Sequence, residues 1–183
     1  MTELPPGPHL VFDSSPLNYF ARSGQLEVLE KLVGGRRCVI TQAVEEELLR
    51  GVARHSRLHQ VLSEPWLDVD REMSLGQLVL FSEYHSSLGG GGKDIGEATT
   101  LAYAEFHGCT AVIDDKPART RARERQTKHT GTLELLVHGI RQHLLSRSDA
   151  CRVIDELRDH EAYLPCDGAT FLAWGEANGY LDG

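Results

Sequence analysis

The chain has 183 residues, 40% of them hydrophobic and 25% charged, and carries a formal net charge of -8. That length and balance suit a single globular domain with a substantial core and argue against a disordered chain. The acidic surplus disfavours nucleic-acid binding by the whole surface, although a local basic patch remains compatible with it. Apolar runs such as Leu78–Phe81 and Ala111–Ile113 are too short to cross a bilayer, and Met1–Pro8 lacks the basic-then-apolar pattern of a secretory leader. The expected location is therefore cytoplasmic, with no membrane partner. Cys38, Cys109, Cys151 and Cys166 form no CxxC pair and have no histidine at zinc-finger spacing, so reduced thiols are expected.

In chain order, His9–Phe12 predicts a first buried strand. Ser14-Ser15-Pro16 then offers a hydroxyl cap and a proline suited to the first helical turn. Leu17, Phe20 and Ala21 recur at helical spacing until Gly24, and Leu26, Leu29, Leu32 and Val33 predict a second helix. Cys38–Ile40 predicts the second strand. Thr41 then caps a helix bearing Val44, Leu48 and Leu49, which Gly51 is expected to end. Trp66–Val69 reads as a short strand and Leu75–Tyr84 as a helix.

Gly89–Gly92 is the clearest break, because four glycines in a regular element would be costly. Its spacing to Lys93 does not match a nucleotide-binding P-loop. A helix is expected over Asp94–His107 and a third strand over Ala111–Ile113. After the polar stretch Lys116–Arg125, helices are expected over Thr132–Leu145 and Asp149–Arg158. Beyond them, Phe171, Leu172, Trp174 and Tyr180 predict a tail that packs on the domain. Alternating strands and helices imply an α/β fold with a parallel sheet covered on both faces.

Sites in such sheets form beyond the carboxyl ends of the strands. Asp13 follows the first strand, Thr41 and Glu45–Glu47 the second, and Asp114-Asp115 the third. Asp94 and Glu97 share one helical face. Gathered carboxylates repel one another unless a cation joins them, and oxygen ligands select Mg2+ or Mn2+. Each acid also has a plain structural alternative. Asp94 with Glu97 fits a capping box, Glu45–Glu47 suit a helix N-terminus, and Asp114-Asp115 suit a turn.

The segments Leu10–Leu17, Val39–Leu49, Gly96–Ala98 with Leu101-Ala102, Val112–Lys116 with Arg119, and Gly131–Leu136 occur in an order that resembles the PIN-domain family. The resemblance is strongest to its bacterial and archaeal branch of toxin–antitoxin ribonucleases of the VapC-like type. It covers about residues 9–160, with 161–183 as a C-terminal tail. It implies a three-layer α/β/α fold around a central, mostly parallel sheet.

By this resemblance Asp13, Glu47, Glu97 and Asp115 are the catalytic acids, with Glu46 as the alternative to Glu47. Asp13, Glu97, Asp115, Asp114 and Asp94 would hold Mg2+ or Mn2+, and Ser15, Thr41 and Glu46 would line the site. Lys116, Arg119, Arg121 and Arg123, followed by Arg125 and Lys128, are the cations expected to meet RNA phosphates. The implied activity is metal-dependent endonucleolytic cleavage of single-stranded RNA. The branch also brings an antitoxin protein and a homodimer into view as partners. The competing classes are a non-catalytic PIN-fold binding module and a Mg2+-dependent phosphatase. Ser14 and Ser15 after Asp13 count against the phosphatase, which needs a second aspartate two residues on.

Overall fold

The computed structural model describes residues 10–92 and 94–181. His9, expected in the first strand, lies outside the described residues. Along the chain the elements begin with β1 (Leu10–Phe12), α1 (Ser14–Arg22), α2 (Leu26–Val33), β2 (Cys38–Thr41), α3 (Gln42–Val52) and α4 (Leu58–Val61). Next come β3 (Leu67–Asp70), α5 (Leu75–Leu88), α6 (Ile95–His107), β4 (Thr110–Val112) and α7 (Lys116–Glu124). The last are β5 (His129–Thr130), α8 (Thr132–Arg141), α9 (Arg147–Asp159) and α10 (Phe171–Ala177).

The strands form one sheet in the order β3-β2-β1-β4-β5, and every described pairing is parallel. This is a three-layer α/β/α sandwich. Residues alternate between the faces of the sheet with a period of two. Leu10, Phe12, Cys38, Ile40 and Val112 therefore pack on one side with Leu17, Phe20, Leu29, Leu136 and Ile154 of α1, α2, α8 and α9. Val11, Val39 and Ala111 pack on the other, joined by Ile113 beyond β4, against Ala98, Leu101 and Ala102 of α6 and Tyr84 of α5. Burial on both faces is why β1 and β2 read as continuous apolar runs.

The first core extends into the C-terminal segment. Phe171, fully buried, and Leu181 belong to it, and a buried Phe contributes roughly 1.5–3 kcal/mol. Several elements depart from the sequence expectations. The cap of α1 is Asp13, whose side chain accepts from the Ser15 N–H, so neither serine hydroxyl caps the helix. Helix α3 passes through Gly51, and α5 continues to Leu88, where Gly89 adopts φ 118°. The strand β5 has only two half-buried residues and carries no apolar signal. The polar α7 is anchored by two buried alanines, Ala118 and Ala122. All four cysteines are free thiols, with Cys38, Cys109 and Cys166 buried. Among the described residues no helix is long and apolar enough to cross a membrane.

Candidate active site

Asp13 stands at the carboxyl end of the central strand β1, where its N–H donates to the Val112 carbonyl at 3.0 Å. Its side chain is fully buried. Oδ2 accepts from the Ser15 N–H at 3.3 Å, whereas Oδ1 has no hydrogen-bond partner. Burial pushes this carboxyl well above the usual carboxylate range, and the charges of Glu97 and Glu47 push it further. The N–H groups of Ser14 and Ser15 only partly offset this.

Glu97, in the first turn of α6, is the second strained acid. Burial raises it to about 7, helped by the charges of Glu47, Asp115 and Asp94 and opposed by its own backbone N–H. Its Oε2 is buried without a hydrogen-bond partner.

Glu47 reaches this cluster because Val44 and Leu48 anchor α3 in the core. Its carboxylate lies on the backbone of Gly96, where an added Cβ would sit 2.6 Å from Oε1. The neighbouring acids point elsewhere. Glu46 is exposed and accepts from Gln42 Nε2 at 3.0 Å, while Glu45 pairs with Arg71.

The first turn of α6 is fixed by a hydroxyl relay absent from the sequence expectations. Thr99 Oγ1 donates to the Gly96 carbonyl at 2.9 Å and lies 2.9 Å from Thr41 Oγ1. Thr41 itself caps α3 by accepting from the Val44 N–H. Asp94 precedes α6 but makes no cap hydrogen bond, so the capping-box alternative for Asp94 and Glu97 does not form. Ser74 with Gln77 forms one instead, at the start of α5.

The two acids after β4 divide their tasks. Asp115 caps α7, with Oδ1 accepting from the Ala118 N–H at 2.8 Å, and its charge is felt at Glu97. Asp114 is committed to Thr132, accepting from its N–H at 2.8 Å and its hydroxyl at 2.6 Å. Beside it, Arg119 forms an ion pair with Glu134 and donates to the Ile113 carbonyl. Gly131 closes this corner, since a Cβ there would collide with the Arg119 guanidinium and lie 2.7 Å from Asp114 Oδ1. Gly131-Thr132 was visible in sequence only as a loop entering a helix.

The expected phosphate cations are likewise unequal. Arg119 is held by Glu134, and Arg121 by Glu124 and the Ser87 carbonyl. Arg125 is held by Glu105 and Glu83, and Lys128 Nζ lies 3.4 Å from the Gly108 carbonyl. Lys116 and Arg123 form no ion pair among the described residues, and both line a groove bordered by Asp114.

A family model, DUF3368, described as a PIN domain, matches residues 9–169. The chain belongs to the PIN-domain family. PIN domains are generally nucleases acting on phosphodiester bonds, and they usually use divalent metal ions. No curated protein and no solved structure matches the chain.

Among the described residues, no group of three or more His, Cys, Asp or Glu side chains is gathered closely enough to hold a metal ion. The donor chemistry of this PIN domain nonetheless fits a hard cation. Asp13 Oδ1 and Glu97 Oε2 are buried carboxylate oxygens with no hydrogen-bond partner, and burial, together with the surrounding acids, raises both groups. No sulfur or imidazole ligand competes within this set of carboxylates.

Proposed function

We propose that this PIN domain is an endoribonuclease that hydrolyses phosphodiester bonds in single-stranded RNA with Mg2+ or Mn2+. The observation that supports it best is the fully buried Asp13 carboxylate, with one unpartnered oxygen and with Glu97 and Glu47 beside it. An uncompensated buried charge costs several kcal/mol. Capping α1 uses only one of the two oxygens, so the helix does not account for the arrangement.

In this reading Asp13, Glu97 and Asp115 would close on the ion when it binds, with Asp94 adding negative potential at Glu97. When bound, the ion supplies Lewis-acid charge to a phosphate oxygen and lowers the pKa of water. Glu47, braced on Gly96, orients the attacking water by accepting a hydrogen bond from it. Asp114 acts through Thr132, fixing the turn from which Asp115 projects. Lys116 and Arg123 draw the polyanion toward a chain whose net charge would otherwise repel it.

The decisive comparison is wild type against Asp13→Asn on a mixed RNA pool, with Mn2+ and with chelator. Cleavage is expected only from wild type with metal, with the variant down by about 100-fold or more. Equal cleavage by both proteins would remove the hypothesis. Absence of cleavage by either would favour the second reading, a non-catalytic PIN module, which the lack of three converging ligands among the described residues supports. As a toxin, the protein would arrest growth on induction, and the product of a small neighbouring gene would relieve the arrest by covering the acidic cleft. Gel filtration tests the homodimer that the family resemblance suggests.

A further inference from the structure

We infer that the groove between α7 and the C-terminal segment binds unpaired nucleotides, with Tyr163 as the stacking platform for a base and Lys116 and Arg123 as phosphate ligands. The groove measures about 680 Å3, within the range of sites that accept small organic ligands. Tyr163 is 93% exposed, an unusual position for a large aromatic side chain.

The backbone around Tyr163 explains why it faces outward. Ala162, Leu164 and Cys166 are buried, while Glu161, Tyr163, Pro165 and Asp167 are exposed, so the segment alternates like a strand. Arg158 clamps it by donating to the Leu164 and Cys166 carbonyls at 2.9 and 3.1 Å. The buried residues on either side fix the backbone so that the ring faces the groove and stays open to a ligand. Trp174 lines the same groove and is steadied by Phe171, whose ring lies 6.1 Å away at 15°.

The groove borders the acidic site: Asp114, next to Asp115, lines it, and the nearby Tyr19 feels the charges of both Asp114 and Asp13. The other basic groove residue, Arg119, is neutralised by Glu134, which leaves Lys116 and Arg123 to favour an anionic ligand. Exposed aromatics with adjacent cations suit single strands, whose bases are free to stack, whereas duplex bases are already stacked on one another. The path of the strand toward the acids rests on the nuclease reading; binding in the groove does not need cleavage.

The test measures binding of a short labelled single-stranded RNA, and of its duplex, to the full chain in chelator. Wild type is expected to prefer the single strand. Tyr163→Ala should weaken that binding about tenfold, Tyr163→Phe should retain it, and Lys116→Ala should lower the salt slope by about one. Single-strand binding unchanged by Tyr163→Ala would overturn the inference. So would a wild type that binds no RNA, as expected if the groove takes a protein partner instead. Cleavage, scored separately with Mn2+, tells the two readings apart. Tyr163-dependent binding without cleavage keeps the groove and removes the nuclease, and cleavage with Tyr163-independent binding does the reverse.

Discussion

The carboxylate of Glu47 rests on the backbone of Gly96, so that a Cβ at position 96 would lie 2.6 Å from Oε1 and 2.9 Å from Oε2. Two segments far apart in sequence therefore meet at a point where an added side chain would displace the Glu47 carboxylate. Gly96→Ala should push Glu47 out of the acidic cluster. Alanine favours the helix by up to about 1 kcal/mol over glycine, which offsets part of the packing cost. The expected outcome is a tenfold or greater loss of RNA cleavage with a melting temperature within a few degrees of wild type. A normal rate on labelled RNA would show that Glu47 does not need this seat.

Glu97 links function to stability through pH. Its folded-state pKa, about 7, lies above its ordinary 4.5, so the folded protein favours the protonated form. For such a raised acid the penalty is absent below pH 4.5 and grows as pH rises toward 7, where ionisation is forced on a buried group. Glu97→Gln should therefore stabilise the chelated protein at pH 8 by about 1–3 kcal/mol and change little at pH 4.5. Urea melts at the two pH values check this, and a variant less stable than wild type at pH 8 would refute it.

Thr132 is fully buried and donates two hydrogen bonds to Asp114, one from its backbone and one from its hydroxyl. Thr132→Val keeps the volume and removes the hydroxyl donor. Leaving an Asp114 oxygen short of a partner should cost about 1–3 kcal/mol in chemical denaturation. Cleavage should fall as well, because the turn carrying Asp115 loosens. An unchanged denaturation midpoint would contradict this assignment.

Away from the site, Glu105 is held at about 2 by hydrogen bonds from Arg125, Tyr84 and Thr127. A depressed acid stabilises the fold above its ordinary 4.5, and that contribution is lost as pH falls through about 2. Glu105→Gln should therefore flatten the acid limb of the stability profile between those values. Circular dichroism melts across that window would show it, and identical acid limbs in the two proteins would exclude it.

The strands β1, β2 and β4 were legible because burial on both faces leaves short apolar runs, and the acids beyond them followed from their position. What remained hidden depended on tertiary packing. Glu45, Glu46 and Glu47 are equivalent in a sequence, and only the seating of Val44 and Leu48 turns Glu47 inward. The cap of α1 looked like a serine because hydroxyls favour that role, yet the strand end delivers Asp13 there. Arg119 read as a free cation because its partner, Glu134, lies on a later helix. The outward Tyr163 had a visible signal in the alternation of Ala162, Leu164 and Cys166, but no regular strand marks that segment.

Asp13 and Glu97 are proposed to form one side of a divalent-ion site. Anomalous diffraction from crystals of this chain soaked in Mn2+ tests it most directly. An anomalous peak is expected within bonding distance of Asp13 Oδ1 and Glu97 Oε2. Well-ordered crystals with Mn2+ bound elsewhere, or with both of those oxygens in contact only with protein, would contradict it.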